Sequence, residues 1–299
     1  EEVAAASAPA AEDAPGRARV SRRLADGRHL EGLDGLVIAT STASHPGLVR
    51  EAVAAGVPLL VEKPLALELE EQDALVAELE ASPVPIMMAY HRRYDPAYRD
   101  LRERVRTGEM GRIRLVHAVS HDHHHVTADY IGPSGGIWRD LVIHDLDTVP
   151  WLLGEEVEAV YATGTAIDEP AYAEHGDLDT ATAILSFRSG AQAVISAARN
   201  IAAGHDVRTE VYGSDGAYAT GLDGLTPVVS TEPGTQPPAQ THEEFTDRFA
   251  RAFRAEADHF VSMLRGEAES LTPPAQCAGA LRLALAAEES VRTGAPVRG

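Results

Sequence analysis

The chain has 299 residues, enough for two domains around sizeable cores, and 44% hydrophobic with 24% charged residues exclude a disordered chain. Twenty-six Lys and Arg against 46 Asp and Glu give a formal charge of −20, which disfavours nucleic-acid backbones and anionic membrane surfaces as partners. The lone Cys277 cannot form an internal disulfide, no run is apolar enough to span a bilayer, and the start is acidic (Glu1, Glu2, Glu12, Asp13) where a secretory leader is cationic, so a soluble cytoplasmic protein is expected.

Residues 2–6 read as a short strand, followed by a polar stretch. Gly35 to Ala39 is a continuous apolar run that ends in Thr40-Ser41-Thr42, the pattern of a buried parallel strand running into a polar loop. The sequence predicts a helix over 46–55 stopped by Gly56, a strand over 57–61, an acidic helix over 68–81 and a strand over 84–89. Strands alternating with helices at this spacing imply a doubly wound parallel sheet, whose ligands bind beyond the carboxyl ends of the strands. Thr40–Thr42, Glu62–Pro64 and Tyr90–Arg93 all fall at such ends.

Beyond Asp95-Pro96 the pattern changes. A helix to about Arg106, a strand over 113–120, a His-rich loop and a helix from about Asp140 come first. Strands over 157–165, 180–187, 191–198 and 207–212 follow, and their hairpin turns imply an antiparallel sheet. Helices over 243–265 and 274–292 close the chain. The expected organisation is a Rossmann-type α/β domain over residues 1–91, incomplete at its start, and an α+β domain over 92–299 with a large, mostly antiparallel sheet.

Twenty-five of the 26 cations are arginine; the exception is Lys63. Biased codon usage accounts for the arginines, but an ammonium kept at one position suggests chemistry that a guanidinium cannot perform. Asp140 and His144 are four apart on an otherwise apolar helix, with Asp147 continuing the stripe, so a carboxylate–imidazole acid–base pair and a structural helix brace fit the spacing equally. His117, His121, His123, His124 and His125 crowd one loop, but their spacing matches no usual metal pattern and no metal is expected there.

These residues together resemble the Gfo/Idh/MocA oxidoreductases: Val37-Ile-Ala-Thr-Ser-Thr-Ala-Ser-His45, Val61-Glu-Lys-Pro-Leu-Ala66, Tyr90-His-Arg-Arg-Tyr-Asp-Pro96, and the run from Ser134 through Asp140 and His144 to Asp147 with Trp151-Leu-Leu-Gly154 after it. They stand in the family's order over essentially the whole chain, and the Arg-Arg-Tyr-Asp-Pro segment and Ser120-His-Asp122 resemble its inositol 2-dehydrogenase branch. The resemblance implies hydride transfer between NAD or NADP and a secondary alcohol of a cyclic polyol or sugar. Lys63, Asp140 and His144 would be catalytic, with His144 taking the hydroxyl proton, Asp140 holding its imidazole and Lys63 stabilising the alkoxide. Ser7, Thr40, Ser41, His45, Glu62, Lys63 and Arg92 would face the cofactor, and Arg92, Asp122, Asp147 and His205 the substrate. It further implies a cis Lys63–Pro64 bond and a homodimer or homotetramer built through the large sheet.

The sequence departs from the family in several places. It contains no Gly-x-Gly, so about one βα unit of a dinucleotide site is absent and the chain as given is expected to bind NAD(P) weakly. Ser7 stands where an acidic residue often meets the adenosine ribose, leaving NAD and NADP both open. His205 and Phe253 replace aromatic hydroxyls, and Pro150 interrupts the expected catalytic helix. Rival readings are therefore another sugar, aminosugar or biosynthetic-intermediate dehydrogenase of the family, or a ligand-binding relative without catalysis.

Overall fold

The computed structural model describes residues 30–298; the strand expected at 2–6 and Ser7 lie outside them. A first sheet contains β1 (Leu36–Ile38), β2 (Leu59–Val61) and β3 (Ile86–Met88), parallel and in that order, with Ile38 opposite Val61 and Val61 opposite Met88. All of β2 and β3 is buried, which is why both read as unbroken apolar runs rather than alternating ones. The crossovers are α1 (His45–Ala54) and α2 (Leu69–Glu80), and Gly56 leaves α1 at φ 73°, a left-handed conformation that favours glycine.

The turn at His91–Arg93 leads into α3 (Pro96–Arg106), whose Asp95 cap accepts from the backbone N–H groups of Ala97 and Tyr98 while Pro96 fills the first helical position. Next come β4 (Leu115–His121), a short α4 (Ala128–Ser134), a π-helical turn over Trp138–Val142 and α5 (Ile143–Leu153). The strands β5 (Val157–Thr165), β6 (Thr180–Phe187), β7 (Gln192–Ala198), β8 (Asp206–Tyr212) and β9 (Ala217–Thr220) follow, with a short α6 (Pro170–Glu174) between β5 and β6. The last elements are α7 (Phe245–Arg248), α8 (Ala250–Leu264), α9 (Pro274–Cys277), α10 (Gly279–Thr293) and β10 (Val297–Arg298). The second sheet has the order β10-β5-β6-β7-β4-β8-β9 and is antiparallel except where β4 meets β7. α5 and α10 cover one face, where Val116, Leu146, Leu185, Ile195 and Ala284 share a core. The other face leaves Tyr161, Ile184 and Tyr212 exposed.

Two expectations need correction. Pro150 does not interrupt the helix, because α5 continues through it to Leu153. A proline near the end of a helix loses one backbone hydrogen bond and need not break the element. Asp140 does not begin a regular α-helix shared with His144, because it sits in the π turn that precedes α5, and such a turn rotates its residues off the following α-helical stripe. The residue 91/92 boundary divides the sheets but not the cores. Phe260 and Met263 of α8 pack on Leu60 and Met87, Cys277 and Ala280 join the core around Val49 and Leu59, and Thr272 exchanges hydrogen bonds of 2.9 and 2.7 Å with the Met88 backbone.

Two buried ion pairs join the rim of the first sheet to α5. Arg92 donates to Asp145 at 2.5 Å and to Ser120 at 2.9 Å, and Arg93 grips both oxygens of Asp147 at 2.9 and 2.6 Å. Asp147, expected on the substrate side, is thus 4% exposed and engaged in bracing the domains. Removing one member of such a pair strands the other charge in a dry interior. Asp147→Ala should therefore lower the unfolding free energy by about 3–5 kcal/mol in denaturant titrations.

Candidate active site

A cavity of about 390 Å3 opens beyond the carboxyl ends of β2 and β3, between the two sheets. Glu62 and Lys63 enter it from the turn after β2, where the Lys63–Pro64 peptide is cis. His91 and Arg92 come from the turn after β3, Asp122 from the end of β4, Arg199 from the end of β7 and His205 from the start of β8. Asp140 and Leu141 arrive from the π turn and His144 from α5, while Phe245, Phe249 and Phe253 of the α7–α8 segment form an apolar wall.

Lys63 Nζ donates to the Asp140 carbonyl at 2.7 Å and to its carboxylate at 3.1 Å. The same carboxylate accepts from Arg199 at 2.8 Å and from the Tyr130 hydroxyl at 3.2 Å. Burial alone would raise the Asp140 pKa, but Lys63 and Arg199 overcome it and hold the group at about 2. Asp140 is therefore a fixed anion. It does not hold His144: the Nδ1 of that ring is buried without a hydrogen-bond partner, which corrects the expectation that Asp140 orients the imidazole. Burial, then the Lys63 charge, push the His144 pKa well below its ordinary value, so the ring is a neutral acceptor.

Asp122 lies 3.5 Å from His205 Nδ1 and 4.0 Å from Arg199. Burial pushes the Asp122 pKa up to about 6 against the pull of Arg199, and burial brings His205 down to about 4. Burial also raises the Glu62 carboxyl, with Lys63 opposing.

The structure thus brings Glu62, Lys63, Arg92, Asp122, Asp140, His144 and His205 around one space. It places other expected site residues elsewhere. Thr40 and Ser41 are exposed at the end of β1, with Thr40 bonded to Ser44 at 2.7 Å. His45 is fully buried, its ring nitrogens 2.9 and 3.1 Å from the carbonyls of Pro64 and Thr40, so it braces two loops instead of facing a ligand. The histidine run is spread along the strand and loop. His117 packs on Tyr212, His121 meets Ser196 at 2.8 Å, and His125 meets Asp168 at 3.1 Å. His123 and His124 stack at 3.9 Å, and one ligand atom from each lies within 4.8 Å of a Glu243 oxygen and of the other.

Sequence reasoning passed over Arg199, Tyr130, Phe245 and Phe249, and it gave no role to His91, noted only within a strand-end cluster, or to Phe253, noted only as a departure from the family. Arg199 carried a visible signal, a lone cation directly after the apolar end of a strand, in a buried setting where a charge needs partners.

Family models match both halves of the chain: the oxidoreductase family with an NAD-binding Rossmann fold over residues 3–90, and the GFO/IDH/MocA C-terminal domain over 98–219. A myo-inositol dehydrogenase of Streptomyces leeuwenhoekii is 38% identical over 270 residues, which cover 88% of this chain and 80% of that one. The chain belongs to the Gfo/Idh/MocA family. A crystal structure of a myo-inositol dehydrogenase from Corynebacterium glutamicum superposes with a TM-score of 0.80 at 31% identity, covering 90% of this chain and 80% of the other. A scyllo-inositol dehydrogenase from Lactobacillus casei, with bound NAD(H) and scyllo-inositol, superposes with a TM-score of 0.81 at 25% identity, covering 91% and 82%.

Asp122 gives this site a testable pH signature. Its folded pKa lies above its ordinary value of 3.8, so the native state holds this proton more tightly than the unfolded chain between about pH 4 and 6. Its contribution to stability is then lost as pH rises through that window. Asp122→Asn should stabilise the fold by about 1–3 kcal/mol at pH 7, with the advantage vanishing below pH 4, as read from urea unfolding across pH.

Proposed function

We propose that the chain is an NAD-dependent dehydrogenase that oxidises a secondary alcohol of an inositol-like cyclic polyol. The observation that carries this reading is the grouping of Lys63, Asp140 and His144 around one cavity at the carboxyl ends of β2 and β3. The residues present fit the nicotinamide end of a dinucleotide: Glu62 and Lys63 line the cavity there, and the exposed Thr40 and Ser41 continue the same rim. When bound, the nicotinamide supplies the hydride acceptor.

The chain's own residues then do three things. Lys63 has three N–H groups and spends two on Asp140, leaving one for the substrate oxygen. That donor meets the charge that develops as the hydroxyl becomes an alkoxide. The neutral His144 takes the hydroxyl proton. Asp140, anionic and held by three donors, fixes the ammonium and offsets its charge. Asp122 and His205 offer polar contacts to the remaining hydroxyls, with Arg92 behind them bracing the wall, and Phe249 and Phe253 present an apolar wall to ring C–H groups. His205 and Phe253 favour a second reading, in which the substrate is another sugar or aminosugar.

Lys63→Arg should reduce turnover with NAD+ and myo-inositol by about 10²-fold or more, since a planar guanidinium cannot reproduce the ammonium geometry. His144→Ala should cost about 10²–10⁴-fold, and the double variant less than the product of the two. A folded Lys63→Arg protein with normal turnover would contradict the assignment. Parallel assays with NADP+, scyllo-inositol and aminosugars separate cofactor and substrate choice.

Assembly and compartment belong to the same proposal. Tyr161, Ile184 and Val194 lie side by side across β5, β6 and β7 on the uncovered face of the large sheet, which supports a homodimer or homotetramer joined through it. Light scattering should show an oligomer at micromolar concentration, and Ile184→Glu should shift it toward monomer. Cys277 is free and buried, in keeping with a reducing cytoplasm, and no helix among the described residues is long and apolar enough to cross a membrane.

A further inference from the structure

His144 lacks the acceptor that orients an acid–base histidine, because the Asp140 oxygens are occupied by Lys63, Tyr130 and Arg199. The ring's neighbour is instead His91, with centroids 4.9 Å apart and planes at 67°. His91 is itself held firmly. It stacks on Phe253 at 4.7 Å and 26°, and meets Phe249 edge-on at 4.5 Å and 71°. Its Nε2 is buried with no hydrogen-bond partner, as is Nδ1 of His144. An idle buried polar group costs about 1–3 kcal/mol, so two of them on adjoining rings call for an explanation. The two nitrogens do not bond each other in this arrangement, since the rings meet edge to face, but with centroids 4.9 Å apart a turn of the His144 ring would bring its Nδ1 within hydrogen-bond reach of His91 Nε2.

We propose that His91 is a positioning residue for His144, its Nε2 accepting a hydrogen bond from His144 Nδ1–H when His144 takes up the substrate proton. This rests on the reading of His144 as the base. At rest both rings are neutral. The substrate O–H bond breaks, its proton bonds to Nε2 of His144, and the electron pair stays on oxygen. The resulting imidazolium carries a proton on each nitrogen. The Nδ1 proton stays on His144 and needs an acceptor, which the lone pair on His91 Nε2 supplies. The charged groups around the two rings, Lys63, Arg92 and Arg248, are all cations that oppose this charge, and Tyr90 packs beside His144 at 6.3 Å without neutralising it. His91 gives the cation a ligand without adding an anion that would hold it permanently protonated. The neighbouring phenylalanines keep the acceptor ring in place.

Two variants separate this role from packing. His91→Phe keeps an aromatic ring against Phe249 and Phe253 but removes both nitrogens, while His91→Gln keeps an acceptor at similar reach. Nitrogen-15 NMR of the chain reads the His144 ring directly and does not depend on turnover. In the wild type a single tautomer with Nδ1 protonated is expected. His91→Phe should yield a mixture and lower the His144 pKa by about one unit, and His91→Gln should restore the wild-type pattern. In steady-state assays His91→Phe should lower kcat about 10-fold with KM unchanged and move the acid limb of the kcat–pH profile by the same unit. Unchanged His144 nitrogen shifts and an unchanged pH profile in a folded His91→Phe protein would overturn the proposal. If His91→Phe does not fold, a His91→Gln ring spectrum lacking the Nδ1-protonated tautomer would overturn it equally. A wild type without polyol oxidation, or a fully active His144→Ala, would instead overturn the dehydrogenase reading, with the NMR result still deciding whether the two rings are coupled.

Discussion

The architecture of the cleft depends on two adjacent arginines. Arg92 and Arg93 leave the end of β3 in one tight turn and bind Asp145 and Asp147 on α5. All four side chains are nearly or wholly inaccessible. An ion pair in such a place adds little net stability relative to an apolar pair, since desolvating four charges consumes most of the Coulombic gain. What it does add is registry. Arg–carboxylate forks tolerate little misalignment, and two of them side by side fix both the distance and the rotation of α5 relative to the first sheet. Lys63, on the rim, and His144, on α5, therefore keep a constant relation to each other across a domain junction.

The second contributor to that rigidity is the return of the chain. Thr272 bonds both backbone groups of Met88 at the end of β3, and its hydroxyl lies 2.8 Å from that of Tyr94. Segments almost 200 residues apart thus close around the turn that carries Arg92 and Arg93. A cleft formed this way does not require either domain to be rigid alone, because the segment around Thr272 ties the returning chain to the end of β3.

How much of this the sequence revealed depends on the length scale of each signal. The parallel strands and their helices were legible because a strand buried on both faces leaves an unbroken apolar run, and Gly56 marks a helix end for a backbone reason. The hairpin strands were legible from alternation and turn residues. α4, α6, β9 and β10 are too short for either period to show. The solitary Lys63 could be singled out by counting, but its partner could not. The spacing of Asp140 and His144 suggested a pair, whereas the π turn separates them and gives Asp140 to Lys63 and Arg199. Asp147 had the same spacing signal as the site residues and serves as a brace, because which side of a buried helix meets the cavity is decided by tertiary packing. Arg199 stands out locally as a lone cation after an apolar strand end, but its pairing with Asp140, 59 positions away, is invisible to any local pattern.

The one lysine among 25 arginines now has a geometric account. Asp140 presents a carbonyl and a carboxylate oxygen to the same cation, at 2.7 and 3.1 Å and in different directions. A tetrahedral ammonium can meet two such acceptors and still aim its third proton into the cavity. A planar guanidinium directs its five donors within one plane, suited to a fork such as Arg93 on Asp147, and its extra bulk would fill the space that the proposed reaction reserves for the substrate oxygen. Arg199, which approaches the other side of the same carboxylate, shows the complementary role: it is fully buried and anchors the anion without having to reach a ligand. The site thus divides its cations by shape. Arginines hold the carboxylates that set the geometry, and in the proposed reaction the single lysine is the one cation that binds a carboxylate and a reacting oxygen at once.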